Sequence, residues 1–402
     1  MIDKISKRID ELREEMVSTM MKMIPLGGIG PENGGDGEIR KAEFLEKLAR
    51  DMGLDVERVD ARDERVPSGI RPNIIIRYKG RSDRSIWIVS HMDVVPPGSG
   101  WSSDPFTPVL KNGRIYGRGT EDDGQAIVSS LYAVKVLSDL GIRSDYGLNL
   151  AIVSDEETGS KYGIEHLISR GIFSKDDLII VPDAGNSDGT MIEVAEKGIL
   201  WLKITVRGKQ VHASTPEKGL NAHRIGMRLA IAIDDVLHSR FSDTDPLFDP
   251  PRSTFEPTKK EANVENVNTV PGIDVLYFDC RILPKYSINE VLDVVKTVAE
   301  AYKAYGADIK VDVVSMNEPS FTDPNSEIVR RIQKAVKLLR GKEAKPMGVG
   351  GGTCAAHLRR AGLQAAVWMT TEETAHQPDE YCVVENMVED AKVMAAVVLD
   401  DL

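Results

Sequence analysis

The chain has 402 residues, a length at which a single hydrophobic core usually gives way to two domains. Hydrophobic residues make up 41% of it and charged residues 28%, which is typical of a soluble globular protein. The net charge of −12, with no local cluster of Lys and Arg to offset it, argues against nucleic acid and anionic membrane surfaces as partners. We therefore expect small molecules as partners.

Residues 1–23 place apolar side chains three or four positions apart, with charged residues between them. This spacing predicts an amphipathic helix, whereas a signal peptide would need a continuous apolar stretch. Nothing elsewhere approaches the roughly 18 apolar residues of a membrane span. Cys280, Cys354 and Cys382 form no C-x-x-C pair, so neither a disulfide framework nor a cysteine-based zinc site is indicated. We expect a cytoplasmic protein that does not contact membranes.

The first part of the chain alternates short β-rich runs with helical patterns. Strands are predicted in "NIIIRY", "SIWIVS", "LNLAIVS" and "LIIVPD", and helices in "GQAIVSSLYAVKVLSDLG" and "KYGIEHLISRG", which end at Gly141 and Gly171. This alternation predicts an α/β sheet covered by helices. Ligand sites in such sheets lie beyond the carboxyl ends of the strands.

A second unit is predicted to begin near residue 197, where "ILWLKITVRG" alternates apolar and polar residues. A helix at about 220–240, a short strand near 264–268, the strand "IDVLYFDCRI", the helix "SINEVLDVVKTVAEAYKAYG" and the strand "DIKVDVV" follow. Their order, β-α-β-β-α-β, is the ferredoxin-like pattern. Residues 241–262 hold four prolines and are predicted to form an ordered loop.

After residue 318 the chain returns to helical patterns and one strand, "AAVWMT". We therefore predict one domain made of residues 1–196 and 318–402, into which a second domain of residues 197–317 is inserted.

Acids and histidines follow several of the predicted strands and turns. They are His91–Asp93, Glu121–Asp123, Asp155–Glu157, Asp183 and His376. Each has a plain structural explanation alone: a His–Asp pair, acids that cap a helix, a solvated loop or a turn aspartate. Together they would gather nitrogen and oxygen ligands at one edge of a sheet, which is what a metal site requires.

These motifs resemble the two-zinc amidohydrolases that include acetylornithine deacetylase, succinyl-diaminopimelate desuccinylase, aminoacylase, glutamate carboxypeptidase and several dipeptidases. The similarity runs from about residue 5 to 400 and keeps the order of the family's motifs: "SHMDVVPPG", "WSSDPFTPVLKNGRIYGRGTEDD", "SDEETGS", "VPDAG", "GKQVHASTPEKGLNA", "NTVPG" with "DCR", "GGGT" and "AHQPDEY". The resemblance implies a zinc-peptidase-like catalytic domain, a mixed sheet covered by helices, with an inserted ferredoxin-like α+β domain that serves for dimerisation and as a lid.

The resemblance also implies a site for two zinc ions, with cobalt or manganese as substitutes. Asp122 would bridge the two ions. His91 and Asp183 would complete one site, and Glu157 and His376 the other. It implies, too, a cis peptide bond after Asp122.

Three further residues would act without binding metal. Glu156 would be the general base, and Asp93 would orient His91. His212 would reach the oxyanion from the partner subunit of a homodimer, although an ordinary strand-end histidine is the alternative.

A second set of residues would bind the substrate. Arg281 lies on the polar face of its strand and can present a guanidinium to a substrate carboxylate, while a structural ion pair with Asp279 is the alternative. Further hydrogen bonds would come from Asn268, Gly351, Gly352 and Thr353.

The resemblance implies hydrolysis of the amide bond of N-acyl amino acids, as in the acetylornithine and succinyl-diaminopimelate enzymes. A metallo-dipeptidase or carboxypeptidase on the same scaffold is the alternative, and a non-catalytic scaffolding protein is a third reading that the intact Glu156 and ligands oppose. The chain departs from the family at Gly124, where a lysine is common, and at Cys354–His357, where many deacylases have Ser-Asp-x-Arg. Both positions bear on the substrate more than on the metal.

Overall fold

The computed structural model describes residues 1–402, which divide into two compact units. The first unit contains Met1–Val194, Thr322–Met347 and Thr353–Leu402, and the second contains Ala195–Phe321 and Gly348–Gly352. The sequence-based division placed Gly348–Gly352 in the first domain, whereas here it belongs to the second unit. The dimerisation role of the inserted part stays a prediction.

The α-helices are α1 (Ile2–Glu11), α2 (Arg13–Met23), α3 (Ile39–Asp51), α4 (Gln125–Asp139), α5 (Ile164–Ser169), α6 (Ala222–Arg240), α7 (Ile288–Tyr302), α8 (Glu327–Arg340), α9 (Ala355–Arg360) and α10 (Val384–Ala396). The strands are β1 (Asp55–Arg58), β2 (Ala61–Arg62), β3 (Ile70–Arg71), β4 (Ile74–Tyr78), β5 (Ser85–His91), β6 (Val109–Lys111), β7 (Arg114–Tyr116), β8 (Gly147–Val153), β9 (Leu178–Asn186), β10 (Met191–Glu196), β11 (Gly198–Arg207), β12 (Val211–His212), β13 (Thr254–Lys260), β14 (Thr269–Val270), β15 (Ile273–Ile282), β16 (Asp308–Asn317), β17 (Ser320–Phe321), β18 (Lys345–Val349), β19 (Gln364–Thr370) and β20 (Tyr381–Val383).

The central sheet of the first unit has the strand order β1-β4-β8-β5-β9-β19-β10. Its middle strands are parallel: β5 pairs with β8 and β9, and β9 pairs with β19. The pairs β1–β4, β4–β8 and β10–β19 are antiparallel, so the sheet is mixed. The predicted α/β class is therefore confirmed, and the parallel strands direct their carboxyl ends to one edge.

Helices bury both faces of this sheet. One face packs against α5 and α9 through a cluster that includes Trp87, Val89, Ala151 and Leu358. On the other face, α4 is buried along nearly its whole length and packs against α1 and α10. No helix combines the length and the apolar character that are needed to cross a lipid bilayer.

The predicted N-terminal helix is present as two segments, α1 and α2, which meet at Leu12 with a non-helical ψ of 1°. The apolar stripe continues across this break, because Ile5, Ile9, Met16 and Met20 are all fully buried. The periodicity of the sequence therefore identified the buried face correctly but not the interruption.

The second unit contains a four-stranded antiparallel sheet with the order β13-β15-β11-β16, against which α6 and α7 pack. The order along the chain is β-α-β-β-α-β, as the sequence predicted. The second strand was misplaced, however, since it is Thr254–Lys260, inside the segment predicted as a loop, and not residues 264–268. This edge strand buries Phe255 and leaves its later residues exposed, so it has none of the alternation that marks a strand.

A buried arginine connects the N-terminal segment of the first unit to the loop that follows β8. Arg71 Nε donates to Glu38 Oε2 at 2.8 Å, and both side chains are fully buried. Arg71 Nη1 lies 3.6 Å from Asp63 Oδ2, 3.7 Å from Asp155 Oδ1 and 3.8 Å from Glu32 Oε2. One guanidinium thus lies among four carboxylates, two of which, Asp63 and Glu32, also pair with Arg65.

We expect Arg71→Leu to destabilise the protein by about 3–5 kcal/mol, because it leaves buried carboxylates without their cation. Arg62→Leu is a matched control, since Arg62 pairs with Glu64 in the solvent and its loss should change little. Chemical denaturation followed by circular dichroism measures both. Similar small losses for the two variants would contradict the proposed charge balance at Arg71.

Candidate metal centre

Several segments of the first unit bring acids and histidines to the carboxyl edge of the central sheet. β5 ends at His91, and the turn before α4 carries Asp122. Glu156 and Glu157 follow β8, and His376 lies in the loop after β19. The segments after β5, β8 and β19 leave parallel strands at the same edge, and the turn before α4 joins them there, which is why residues far apart in sequence meet.

Asp183 reaches the same place from inside β9, not from its end as the sequence analysis expected. The pairing of β9 with β19 is irregular between Val367 and Met369, at the level of Asp183. Bulges of this kind redirect side chains and are common beside active sites.

The carboxylate of Asp122 lies at the centre of the cluster. Its Oδ1 is 2.9 Å from His91 Nε2, and its Oδ2 is 3.0 Å from His376 Nε2. A further acid accompanies each imidazole: Asp183 Oδ1 is 3.5 Å from His91 Nε2, and Glu157 Oε2 is 3.2 Å from His376 Nε2. Asp122 therefore presents its two oxygens to two separate histidine–carboxylate pairs.

Two sets of side chains have ligand atoms that all lie within 4.8 Å of one another. One set is His91, Asp122 and Glu157, and the other is His91, Glu156 and Asp183. The structure thus brings the predicted ligands together, and it includes Glu156 in one of the two sets. The separate role of Glu156 as a base rests on the family resemblance, because distance alone does not separate it from the ligands.

The negative charge in this cluster exceeds what two imidazoles can balance. Burial favours the neutral form of Asp122, but hydrogen bonds to the two histidines hold its pKa below its usual range. Hydrogen bonds to Asp122 and Glu157 raise the pKa of His376 to about 10. Burial, reinforced by the charge of Asp183, raises the pKa of Glu156 well above its usual value. Divalent cations would relieve this repulsion.

The donor set consists of imidazole nitrogens and carboxylate oxygens, a combination that suits zinc, cobalt, manganese or iron. His91 Nδ1 lies 3.1 Å from the backbone oxygen of Asp93, so an N–H at this atom leaves Nε2 free for a metal. The residues present therefore fit divalent cations.

Asp93 connects two strand ends in a way that the sequence did not indicate. Asp93 Oδ1 lies 3.5 Å from His91 Nδ1, whereas the backbone oxygen of Asp93 lies only 3.1 Å from the same atom. The two carboxylate oxygens instead accept hydrogen bonds from the backbone N–H groups of Glu156 and Glu157, each at 3.0 Å. Asp93 thereby holds the loop that carries both glutamates next to His91.

Other acids around the site were missed as functional candidates because acids in a Gly-rich turn are explained equally well by helix capping. Asp123 Oδ2 accepts a hydrogen bond from the backbone N–H of His91 at 3.0 Å. Glu380, fully buried, accepts from the backbone N–H groups of Glu121 at 2.9 Å and Asp122 at 3.1 Å. The only sequence signal for Glu380 was its place in the motif "AHQPDEY".

The turn also explains why Gly124 replaces the lysine that is common in the family. A Cβ at this position would lie 2.4 Å from the backbone oxygen of Gly119, so no side chain fits without moving the backbone. The peptide bond between Asp122 and Asp123 is cis, as the resemblance implied.

The other predicted residues, except Thr353, lie in the second unit. His212 is exposed on β12, which pairs with β14, and its Nδ1 lies 2.7 Å from Ser214 Oγ. The backbone oxygen of Asn268 accepts from the N–H of Ala213 at 2.8 Å, so Asn268 and His212 are neighbours.

Arg281 is engaged by its own unit. Its Nε and Nη2 donate to the two oxygens of Asp279 at 2.7 and 3.0 Å, the ion pair named as the alternative above. Its Nη1 donates to the backbone oxygen of Gly350 at 2.8 Å, next to Gly351 and Gly352. Thr353, in the first unit, accepts a hydrogen bond from the N–H of Ala355 at the start of α9.

A carboxylate shared by two histidine–acid pairs, with one more acid alongside, is an arrangement suited to a metal-dependent hydrolase that activates a water. Residues 87–400 match the Peptidase family M20/M25/M40, and the chain belongs to this family. It is therefore a hydrolase of amide or peptide bonds, from a family of metal-dependent enzymes.

Two relatives and two solved structures illustrate the similarity. An uncharacterized metallohydrolase of Methanocaldococcus jannaschii is 41% identical over 403 residues, covering 95% of this chain and 98% of the relative. A succinyl-diaminopimelate desuccinylase of Wolinella succinogenes is 28% identical over 319 residues, covering 78% and 83%. The aminopeptidase PepT of Bacillus cereus shares the fold with a TM-score of 0.74 at 22% identity, covering 96% and 98%. Human carnosine dipeptidase 1 does so with a TM-score of 0.72 at 16% identity, covering 99% and 98%.

We expect divalent metal to stabilise the folded protein, because binding relieves the repulsion among the clustered acids. With free zinc at 100 times its dissociation constant, the gain is about 2.7 kcal/mol. Thermal unfolding with zinc and with chelator measures the difference. Asp122→Asn, which weakens the shared ligand, should abolish most of it, and an equal shift in that variant would place the metal elsewhere.

Proposed function

We propose that the protein is a zinc-dependent hydrolase that cleaves the amide bond of N-acyl amino acids, and that it holds two zinc ions. The observation that carries this proposal is the placement of Asp122, whose two oxygens lie 2.9 and 3.0 Å from the Nε2 atoms of two different histidines. A carboxylate that faces two separate donor pairs is suited to bridge two cations.

In this proposal His91 and Asp183 would hold one ion, Glu157 and His376 would hold the other, and Asp122 would contribute to both. Cobalt or manganese would substitute for zinc, since imidazole and carboxylate ligands accept all three. When bound, two such ions lower the pKa of a shared water and polarise the scissile carbonyl.

Glu156 moves the proton in this reaction. One of its carboxylate oxygens accepts the proton of the attacking water and then delivers it to the nitrogen of the departing amine. Asp93 keeps Glu156 in place through the hydrogen bond to its backbone N–H.

Residues of the second unit, with Thr353 of the first, would recognise the substrate. His212 of a partner subunit would donate a hydrogen bond to the developing oxyanion. Arg281 would bind the substrate's free carboxylate through Nη1, where the substrate would replace the backbone oxygen of Gly350. Further hydrogen bonds would come from Asn268, Gly351, Gly352 and Thr353.

The proposed homodimer would need an apolar surface, and the second unit exposes several apolar side chains. On α6, Met227 and Ile231 are 47% and 63% exposed and lie four residues apart on one face. On β16, Val313 and Val314 are 43% and 55% exposed. Exposed apolar side chains of this kind are candidate contacts of an interface. We also place the protein in the cytoplasm, since its three cysteines are free and buried.

The alternative is a metallo-dipeptidase or carboxypeptidase, which uses the same centre and differs in the groups recognised beside the amide. Similarity to a desuccinylase in sequence favours the deacylase. Hydrolysis of N-acetyl and N-succinyl amino acids and of dipeptides, with zinc present, tests the choice. Turnover of acyl amino acids at least tenfold faster than of dipeptides supports the proposal, and the reverse order would replace it by the alternative.

We expect Glu156→Gln to lower kcat by a factor of about 10²–10⁴ and to leave zinc bound, because it removes a proton carrier and not a ligand. Glu157→Gln should weaken one zinc site, since it removes a ligand charge. Metal analysis after dialysis, together with kcat, distinguishes the two variants. Equal metal loss in both would mean that the roles of the two glutamates are wrongly assigned.

We expect a heterodimer of a Glu156→Gln chain and a His212→Ala chain to be active although both parent homodimers are nearly inactive. If His212 acts across the dimer, one of the two sites combines an intact Glu156 with an intact His212 of the partner. If it acts within its own chain, every site lacks one group. Coexpression with two affinity tags isolates the heterodimer, and activity no higher than that of the parents would rule out the arrangement.

A further inference from the structure

The loop that carries His376 has little structure of its own. It lies between β19 and β20, and His376 and Glu373 have φ values of 62° and 57°, a conformation that side-chain-bearing residues seldom adopt. The side chain of His376 is 55% exposed, so packing does not fix it. Some other interaction must hold the backbone of this loop.

Glu121 supplies that interaction. It is 2% exposed, and its carboxylate accepts four hydrogen bonds, all from the His376 loop. One oxygen accepts from the backbone N–H of Glu372. The other accepts from the N–H of Thr374 at 2.5 Å, its hydroxyl at 2.9 Å and the N–H of Ala375 at 3.1 Å. No Lys, Arg or His pairs with this carboxylate, so the loop alone satisfies it.

The position of Glu121 in the sequence connects these four hydrogen bonds to the metal centre. It directly precedes Asp122, whose Oδ2 is 3.0 Å from His376 Nε2. Two consecutive residues therefore act on the same loop: Glu121 accepts from the residues just before His376, and Asp122 contacts the His376 imidazole. Glu380, four residues after His376, in turn accepts from the backbone N–H groups of both acids at 2.9 and 3.1 Å. The turn before α4 and the loop between β19 and β20 therefore hold each other in place through these hydrogen bonds.

We propose that Glu121 is a positioning residue that sets the metal affinity of the site to which His376 belongs. This inference rests on the proposed role of His376 as a ligand. Hydrogen bonds from N–H groups to a buried carboxylate are short and strong, and they fix the loop before metal arrives. Without them, the imidazole would have to be ordered by the metal itself, which weakens binding.

Glu121→Gln tests this with almost no change in shape. Its NH₂ group would face backbone N–H donors, so at least one hydrogen bond is replaced by repulsion. Competition between the protein and a chelator for zinc alone gives the two dissociation constants. We expect one zinc site to weaken about 10–100-fold, as is usual when a residue that supports a ligand is lost, and the other to stay unchanged.

A double-mutant cycle separates positioning from general destabilisation. In a His376→Ala background, Glu121→Gln should cause no further loss of zinc affinity, because the residue it positions is gone. Glu193→Gln is the matched control, since Glu193 is another buried acid of the first unit and pairs with Arg359 at 2.7 Å. It should lower the unfolding midpoint and leave both zinc affinities unchanged.

Two results would overturn the inference and still leave His376 its proposed role. One is that the losses of zinc affinity in the cycle are independent and additive, and the other is that Glu121→Gln leaves the zinc affinity unchanged. If His376→Ala itself left zinc binding intact, the ligand assignment in the proposed function would fail, and this inference with it.

If Glu121→Gln does not fold, Thr374→Ala removes one donor from the opposite side. The zinc affinity of the same site should then fall by a smaller factor. An unchanged zinc affinity would reject the proposed role of the hydrogen bonds to Glu121.

Discussion

The structure of the first unit depends on keeping several carboxylates close together in a buried place. Asp122, Glu156, Glu157 and Asp183 meet at one sheet edge with two imidazoles as their only cationic neighbours in the cluster. Like charges at such distances repel strongly where water is excluded. The surrounding elements keep these carboxylates together in two ways. Backbone N–H groups fix the segments that carry them, and bound cations then balance their charge.

The backbone provides most of this support. Asp93, Asp123, Glu121 and Glu380 each accept hydrogen bonds from N–H groups of a segment that carries a candidate ligand. Fixed amide dipoles stabilise a carboxylate without adding a mobile cation that would compete for the ligands. Two buried arginines lie close to this region, and each pairs with an acid that is not a candidate ligand: Arg71 with Glu38 and Arg118 with Glu380. The ligands themselves thus stay available for metal.

Much of this arrangement could be predicted from the sequence, because a motif consists of neighbouring residues and indicates the chemistry of its own segment. The α/β class and the β-α-β-β-α-β order of the second unit follow from the apolar runs, whereas the candidate ligands were implied by the family resemblance. β13 could not be found, because an edge strand with one buried side chain has no alternation. The roles of Asp93 and Glu121 could not be found either, since their partners are backbone N–H groups 63 and more than 250 residues away, which leave no pattern in a sequence.

The bond between Glu380 and the turn before α4 has a consequence for biosynthesis. Asp122 and Glu380 are separated by 258 residues, so the turn lacks its acceptor until nearly the whole chain has left the ribosome. Until then water must satisfy the N–H groups of that turn, and the loop of His376 does not yet exist. The part of the cluster that includes His376 can therefore be completed only in the finished protein, whereas His91, Asp122 and Asp183 are made much earlier.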